Sequence, residues 1–207
     1  MPPFMFCLSC KEEDSVNLVN PGQLAFDIDG VIADAISLFI DMAKDEYGID
    51  TVSYDDILSY SVESLDGIDP EIVHTIFTRI VDGDFSHSLK PIPGAPEILA
   101  DIHDKTGRLL LVTARPKEAA IREWMEKEIP VPIHDIEIVP TGSFEGKVDV
   151  LKTYGISHFV EDRLETCYIL DDAGIKPILF VQPWNRKTHP FQEANGWDAL
   201  KKMIQWT

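Results

Sequence analysis

At 207 residues, 44% of them hydrophobic and 9% aromatic, the chain can bury the core of one α/β domain carrying an insertion, and it is not a disordered chain. Its longest apolar runs, such as Leu109 to Val112, are far too short to cross a bilayer, so no membrane partner is expected. The formal charge is −18, from 18 Lys plus Arg against 36 Asp plus Glu; with no basic run to offset it, bulk nucleic acid is disfavoured as a partner.

The chain opens Met1, Pro2, Pro3, Phe4, Met5, Phe6 with no basic stretch before the apolar residues. A secretory signal is therefore not expected, and the expected compartment is the cytoplasm. Residues 1–22 read as an N-terminal extension ending at the turn signal Asn20-Pro21-Gly22. Cys7 and Cys10 within it could supply half of a zinc site, but no second Cys/His pair follows at ligand spacing. Two ordinary cysteines are the better reading.

Leu24 to Ile28 is a short apolar strand running directly into carboxylates and Gly30. Apolar positions at helical spacing (Ile36, Phe39, Ile40, Ala43, Tyr47) predict a helix over 35–48, with Gly48 as its stop. From about 51 to 90 the pattern gives helices and polar loops, with a helix start at Asp69-Pro70-Glu71 and one face at Ile72, Ile76 and Ile80. After Pro91-Ile92-Pro93-Gly94 a helix is expected over 95–104, and then strands and helices alternate. Strands are predicted over 108–113, 135–140, 158–161 and 177–182, and helices over 116–128, 146–154, 164–173 and 196–205. The expected fold is α/β: a doubly wound, parallel, five-stranded sheet built from 23–34 and 91–207, with a helical insertion at 35–90.

Ligands of such sheets bind beyond the carboxyl ends of the strands. Four strands deliver polar groups to that edge: Asp27 and Asp29, then Thr113 and Arg115, then Glu161 and Asp162, then Asn185. Paired carboxylates at two strand ends repel one another unless a cation lies between them. All-oxygen donors without a histidine cluster point to magnesium, with Asp27, Asp29, Asp162 and Glu161 as candidate ligands. The bland alternative is an acidic hollow without an ion, and it is weak because uncompensated charge at one site is costly. A phosphate ester fits this site, because a bound cation would also offset the acidic field that opposes an anionic substrate. Phosphoryl transfer needs a nucleophile, charge compensation and a proton source. Asp27 can attack phosphorus, and Asp29 can protonate the leaving oxygen and later deprotonate water. Thr113, with the backbone N–H groups of the turn after it at Ala114 and Arg115, can bind phosphate oxygens. Lys147 supplies a cation aimed at the transferring group.

These residues resemble the haloacid dehalogenase superfamily. Phe26-Asp27-Ile28-Asp29-Gly30-Val31 resembles its first motif and Val112-Thr113-Ala114-Arg115-Pro116 its second. Lys147 stands where the third-motif lysine does, and Phe159-Val160-Glu161-Asp162 resembles the acidic fourth motif. The match in order and spacing runs over about 23–185. The resemblance implies that 35–90 is a type-one helical cap, and that Asp29 also ligates metal through its backbone carbonyl. It implies direct metal contact by Asp162, with Glu161, at a position that is often Asp, acting behind it or through water. A second aspartate implies a phosphatase or phosphomutase, since dehalogenases lack it and transport ATPases carry Thr there. The stretch 27–34, the small cap and the Thr-Ala-Arg-Pro turn look most like the 5′(3′)-deoxyribonucleotidase branch and its bacterial relatives.

Several alternatives stay open in the sequence. Lys152 competes with Lys147 for the lysine role, and either could be a solvated surface residue. Arg115 divides evenly between a substrate contact and an ion-pair partner. Trp184-Asn185-Arg186 reads more readily as an ordinary loop than as the mouth of a site. The cap aromatics Tyr54, Tyr60, Phe77 and Phe85 are core packing by default. The implied substrate is a nucleoside monophosphate; a sugar phosphate, or a non-catalytic relative that binds a phosphorylated ligand, are the other readings. The sequence leaves the oligomeric state open, and a homodimer is allowed.

Overall fold

The structure is a computed structural model that describes residues 18–60, 67–85 and 87–206. Most of the N-terminal extension, with Cys7 and Cys10, lies outside these residues. Six parallel strands form one sheet: β1 (Leu24–Phe26), β2 (Leu109–Thr113), β3 (Ile136–Pro140), β4 (His158–Glu161), β5 (Lys176–Phe180) and β6 (Gln192–Ala194). Their spatial order is β3-β2-β1-β4-β5-β6. The chain builds outward from β1 to β3 and then returns to lay β4 on the other side of β1. That reversal opens a crevice between β1 and β4, where such sheets bind ligands.

Alternation along the strands covers both faces. Leu24, Phe26, Leu109, Leu111, Val160, Ile178 and Phe180 pack with helices α3 (Ala95–Thr106), α4 (Ala119–Glu128) and α7 (Trp197–Lys201). Ala25, Leu110, Val112 and Phe159 pack the other way, with Leu151 of α5 (Lys147–Thr153) and Leu170 of α6 (Leu164–Asp172). Strands buried on both faces read as continuous apolar runs, which is why they are visible in the sequence.

The sixth strand corrects the expected five. β6 is three residues long, Gln-Glu-Ala, and its Glu193 is exposed, so it carries no apolar run to read. The last helix ends at Lys201 instead of 205, and α4 starts at Ala119 instead of 116 because the turn after β2 occupies the residues before it.

The stretch 35–90 leaves and rejoins the sheet at one neck: Ala33 bridges Pro91, the Asp34 N–H donates to Lys90 O (2.9 Å) and the Ile92 N–H to Ile32 O (2.7 Å). It holds α1 (Ala35–Tyr47) and α2 (Pro70–Asp82), and no strand among the described residues. Asp34 caps α1 by accepting the Ser37 N–H, and Asp69 with Pro70 starts α2. Phe39 of α1 stacks on Phe77 of α2 with centroids 4.8 Å apart.

Candidate active site

Register brings the carboxylates together. Phe26 pairs with Val160, and the Asp27 N–H donates to Val160 O at 2.9 Å, so Asp27 leaves β1 beside the end of β4 where Glu161 and Asp162 follow. Asp27, Glu161 and Asp162 are all buried and can place one oxygen each within 4.8 Å of one another. Lys147, the first residue of α5, sits among them: its Nζ donates to Asp27 Oδ1 and Glu161 Oε2, both at 2.8 Å. Lys152 is exposed. The other Glu161 oxygen accepts the Arg163 N–H at 3.0 Å. Asp162 Oδ2 accepts the Trp184 indole N–H at 3.0 Å, whereas its Oδ1 is buried with no hydrogen-bond partner.

Three carboxylates against one ammonium leave surplus negative charge in a desolvated place. Burial pushes the Asp27 carboxyl up to about 7, although the Lys147 ammonium beside it pulls the other way. Burial, with the Glu161 and Asp27 charges alongside, lifts Asp162 well above the ordinary carboxylate value. The Asp27 and Glu161 charges outweigh burial at Lys147 and raise its ammonium above the usual lysine value. A hard divalent cation fits this donor set: the oxygens converge, one is orphaned, and the charge calls for it. Gly30 keeps the wall thin. Its φ is +78°, and a Cβ there would lie 2.1 Å from Asp162 Oδ2.

The other strand ends complete the floor. Thr113 is buried at the end of β2, and its Oγ1 accepts the Arg115 N–H at 3.2 Å. Arg115 forms a bidentate pair with Asp29, Nε to Oδ2 and Nη2 to Oδ1, both 2.7 Å. Asn185 braces the loop after β4 by donating to Asp162 O (2.7 Å) and Phe180 O (2.8 Å).

Above the floor lies a cavity of about 270 Å³ that Asp27, Asp29, Thr113, Ala114, Arg115 and Asp162 share with a largely apolar wall, including Ile36, Ile57, Tyr60, Phe77, Phe144 and Trp184. A link missed in the sequence runs from the 35–90 segment into this site. Tyr54 donates its hydroxyl to Gln182 Oε1 (2.9 Å), and Gln182 Nε2 donates to Gly30 O (2.7 Å). Trp184, more readily an ordinary loop residue in the sequence, is buried against Asp162. No periodic signal marks either link, because each joins positions far apart in the chain or lies in an irregular loop.

Residues 21–207 match the family of the 5′ nucleotidase, deoxy (pyrimidine), cytosolic type C protein. The chain belongs to this family. No curated protein matches it. Among solved structures it is similar to a HAD-superfamily hydrolase from Ehrlichia chaffeensis, at 14% identity and TM-score 0.53, over 89% of this chain and 96% of that one. It is also similar to a predicted phosphoglycolate phosphatase from Haemophilus somnus 129PT, at 13% identity and TM-score 0.62, over 89% and 98% of the two chains. CbbY from Rhodobacter sphaeroides in complex with phosphate aligns at 14% identity and TM-score 0.52, over 84% and 93%. These three share the fold, and together with the family they make the chain a haloacid dehalogenase-superfamily phosphohydrolase.

Proposed function

We propose that the protein is a magnesium-dependent phosphomonoesterase that works through a phosphoryl group on Asp27 and acts on nucleoside monophosphates. The observation that carries the chemistry is the buried cluster of Asp27, Glu161 and Asp162 around Lys147, with Asp162 Oδ1 unpartnered, at the floor of a cavity. A magnesium ion would be held by the Asp27 and Asp162 side chains and the Asp29 carbonyl, with Glu161 behind them, and when bound it would neutralise phosphate charge and make phosphorus more electrophilic.

In this reading the Asp27 carboxylate forms a bond to phosphorus as the bond to the leaving oxygen breaks. The Asp29 carboxyl gives its proton to that oxygen, which departs as an alcohol. Asp29 then takes a proton from water; the water oxygen bonds to phosphorus, and Asp27 and inorganic phosphate are released. Lys147 fixes the rotamer of Asp27 through the 2.8 Å bond, and the Thr113 hydroxyl with the Ala114 N–H faces the phosphate oxygens, the Arg115 N–H being held by Thr113 Oγ1.

Residues 35–90 act as a cap that supplies much of the cavity wall. That wall favours a nucleoside over a sugar phosphate. A base presents apolar faces to Tyr60, Phe77, Phe144 and Trp184, whereas sugar hydroxyls against Ile36, Ile57 and Ile80 would lose water without gaining partners. The family match is consistent with a nucleotide as substrate.

The test is phosphate release from panels of nucleoside monophosphates, sugar phosphates and an aryl phosphate, with magnesium and with a chelator. Magnesium-dependent release preferring one nucleotide class, abolished in Asp27→Asn, is the expected result. Release at near wild-type rate from Asp27→Asn would overturn the nucleophile, and a preference for sugar phosphates would overturn the substrate class.

A further inference from the structure

The guanidinium of Arg115 directs its N–H groups two ways. Nε and Nη2 hold both oxygens of Asp29, while Nη1 donates to Ile80 O at 3.3 Å and Val81 O at 3.1 Å. Ile80 and Val81 lie in the last turn of α2, where the helix dipole is negative. The Ile80 carbonyl also accepts the Gly83 N–H at 3.3 Å, and Val81 O is the nearer of the two acceptors for Nη1. Arg115 is therefore a C-terminal cap for a helix of the 35–90 segment and a clamp on a carboxylate of the sheet edge. Its own backbone belongs to the sheet edge: its N–H is held by Thr113 Oγ1, and its carbonyl accepts the Gly142 N–H at 3.3 Å. The Arg115 side chain is almost wholly buried, whereas Asp29 keeps 27% of its side chain exposed to the cavity.

We propose that Arg115 is the positioning residue for Asp29 and makes the aim of that carboxylate conditional on α2 being seated. With α2 in place, Nη1 is anchored and the planar fork can present Asp29 in one orientation. With α2 displaced, Nη1 loses two acceptors, the guanidinium gains freedom, and Asp29 turns with it. Proton delivery to the leaving oxygen then works only when the cavity is closed over the ester, which keeps water from competing while the cavity is open. The inference rests on the proposed role of Asp29 as the proton donor.

The discriminating experiment compares kcat/KM for two esters, because this ratio reports the steps up to departure of the alcohol. A nucleoside 5′-monophosphate leaves as an alkoxide that needs a proton; p-nitrophenyl phosphate leaves as a stabilised anion that does not. Arg115→Ala is expected to lose about 100-fold or more on the nucleotide but less than about 10-fold on the aryl ester, the range that a general acid contributes. Arg115→Lys keeps the charge but lacks the fork, and should show the same selective loss. Asp29→Asn should show it too, and the Arg115→Ala/Asp29→Asn double variant should add nothing further to the ratio between esters. Equal losses on both esters would reduce Arg115 to a structural residue and overturn the proposal. Hydrogen exchange supplies an arm independent of turnover. Amides in the last turn of α2 should exchange faster in Arg115→Lys, and unchanged exchange there would overturn the tie even if wild-type protein hydrolysed neither ester, an outcome that would separately defeat the phosphatase reading.

Discussion

Asp27 is held by opposing forces, and their balance has a sign that can be measured without any substrate. Burial lifts its carboxyl from 3.8 to about 7, so the folded protein without metal keeps a proton that the unfolded chain has released. A group whose folded value is raised contributes stability that is present below the unfolded value and lost as pH climbs through the folded one. Wild-type protein in a chelator should thus lose stability between about pH 4 and about pH 7 on account of Asp27, by up to about 1.4 kcal/mol for each pH unit climbed in that window. Asp27→Asn mimics the neutral acid at every pH. Its advantage in thermal melts over wild type should grow from about pH 4 to about pH 7 in chelator, level off above that, and shrink when magnesium is added, since a bound cation would favour the ionised wild-type carboxylate. A constant gap across that range would mean that the Lys147 ammonium fully offsets burial. Much of this was legible in the sequence, since strands of one parallel sheet must end at one edge and Asp27, Glu161 and Asp162 follow directly from strand ends. The pairing of Arg115 with Asp29 was not, because the choice between substrate contact and ion pair depends on where the α2 carbonyls lie, and nothing local to the Thr-Ala-Arg-Pro turn encodes that.

At the scale of elements, the 35–90 segment is held to itself by burial more than by its caps. Asp34 caps α1 by accepting from both the Ser37 N–H (3.0 Å) and the Ser37 hydroxyl (2.7 Å), a feature worth about 1 kcal/mol. Phe39 is fully buried and stacked on Phe77, so truncating it removes transfer energy and leaves a void, at about 3–5 kcal/mol. Urea unfolding should accordingly rank Phe39→Ala well below Asp34→Ala, and equal midpoints would mean that the α1–α2 contact collapses to fill the gap. The two helices were readable because their 3.6-residue periodicity and the Asp69-Pro70 and Gly48 signals agree. β6 was not, since a three-residue edge strand with the polar sequence Gln192-Glu193-Ala194 is held by ladder bonds to β5 and by the burial of Ala194 alone. The overrun of the last helix has a different root: Met203 and Ile204 extend the apolar spacing, but the chain after Lys201 turns to pair with Val19. The Val19 N–H donates to Met203 O (2.7 Å) and its carbonyl accepts the Gln205 N–H (2.9 Å), a long-range contact with no local signal.

The whole molecule sets a field that its own site must overcome. A charge of −18 surrounds a cavity lined by Asp27, Asp29 and Asp162 with Arg115, and Glu161 and Lys147 lie buried behind them, so a phosphate dianion approaches against repulsion at every distance beyond the local cations. Salt shortens the reach of that field to about 10 Å at 0.1 M but leaves the buried contacts nearly intact. With magnesium held saturating, raising potassium chloride from about 20 to about 150 mM should therefore increase kcat/KM for a nucleoside monophosphate by about threefold, opposite to the trend for a cleft that steers anions inward. The kcat itself should stay flat, since the charges that act on the bound ester are too close together and too buried to be screened. A fall in kcat/KM with salt would mean that the positive groups at the cavity mouth outweigh the global charge, and that substrate is drawn in by a local patch after all.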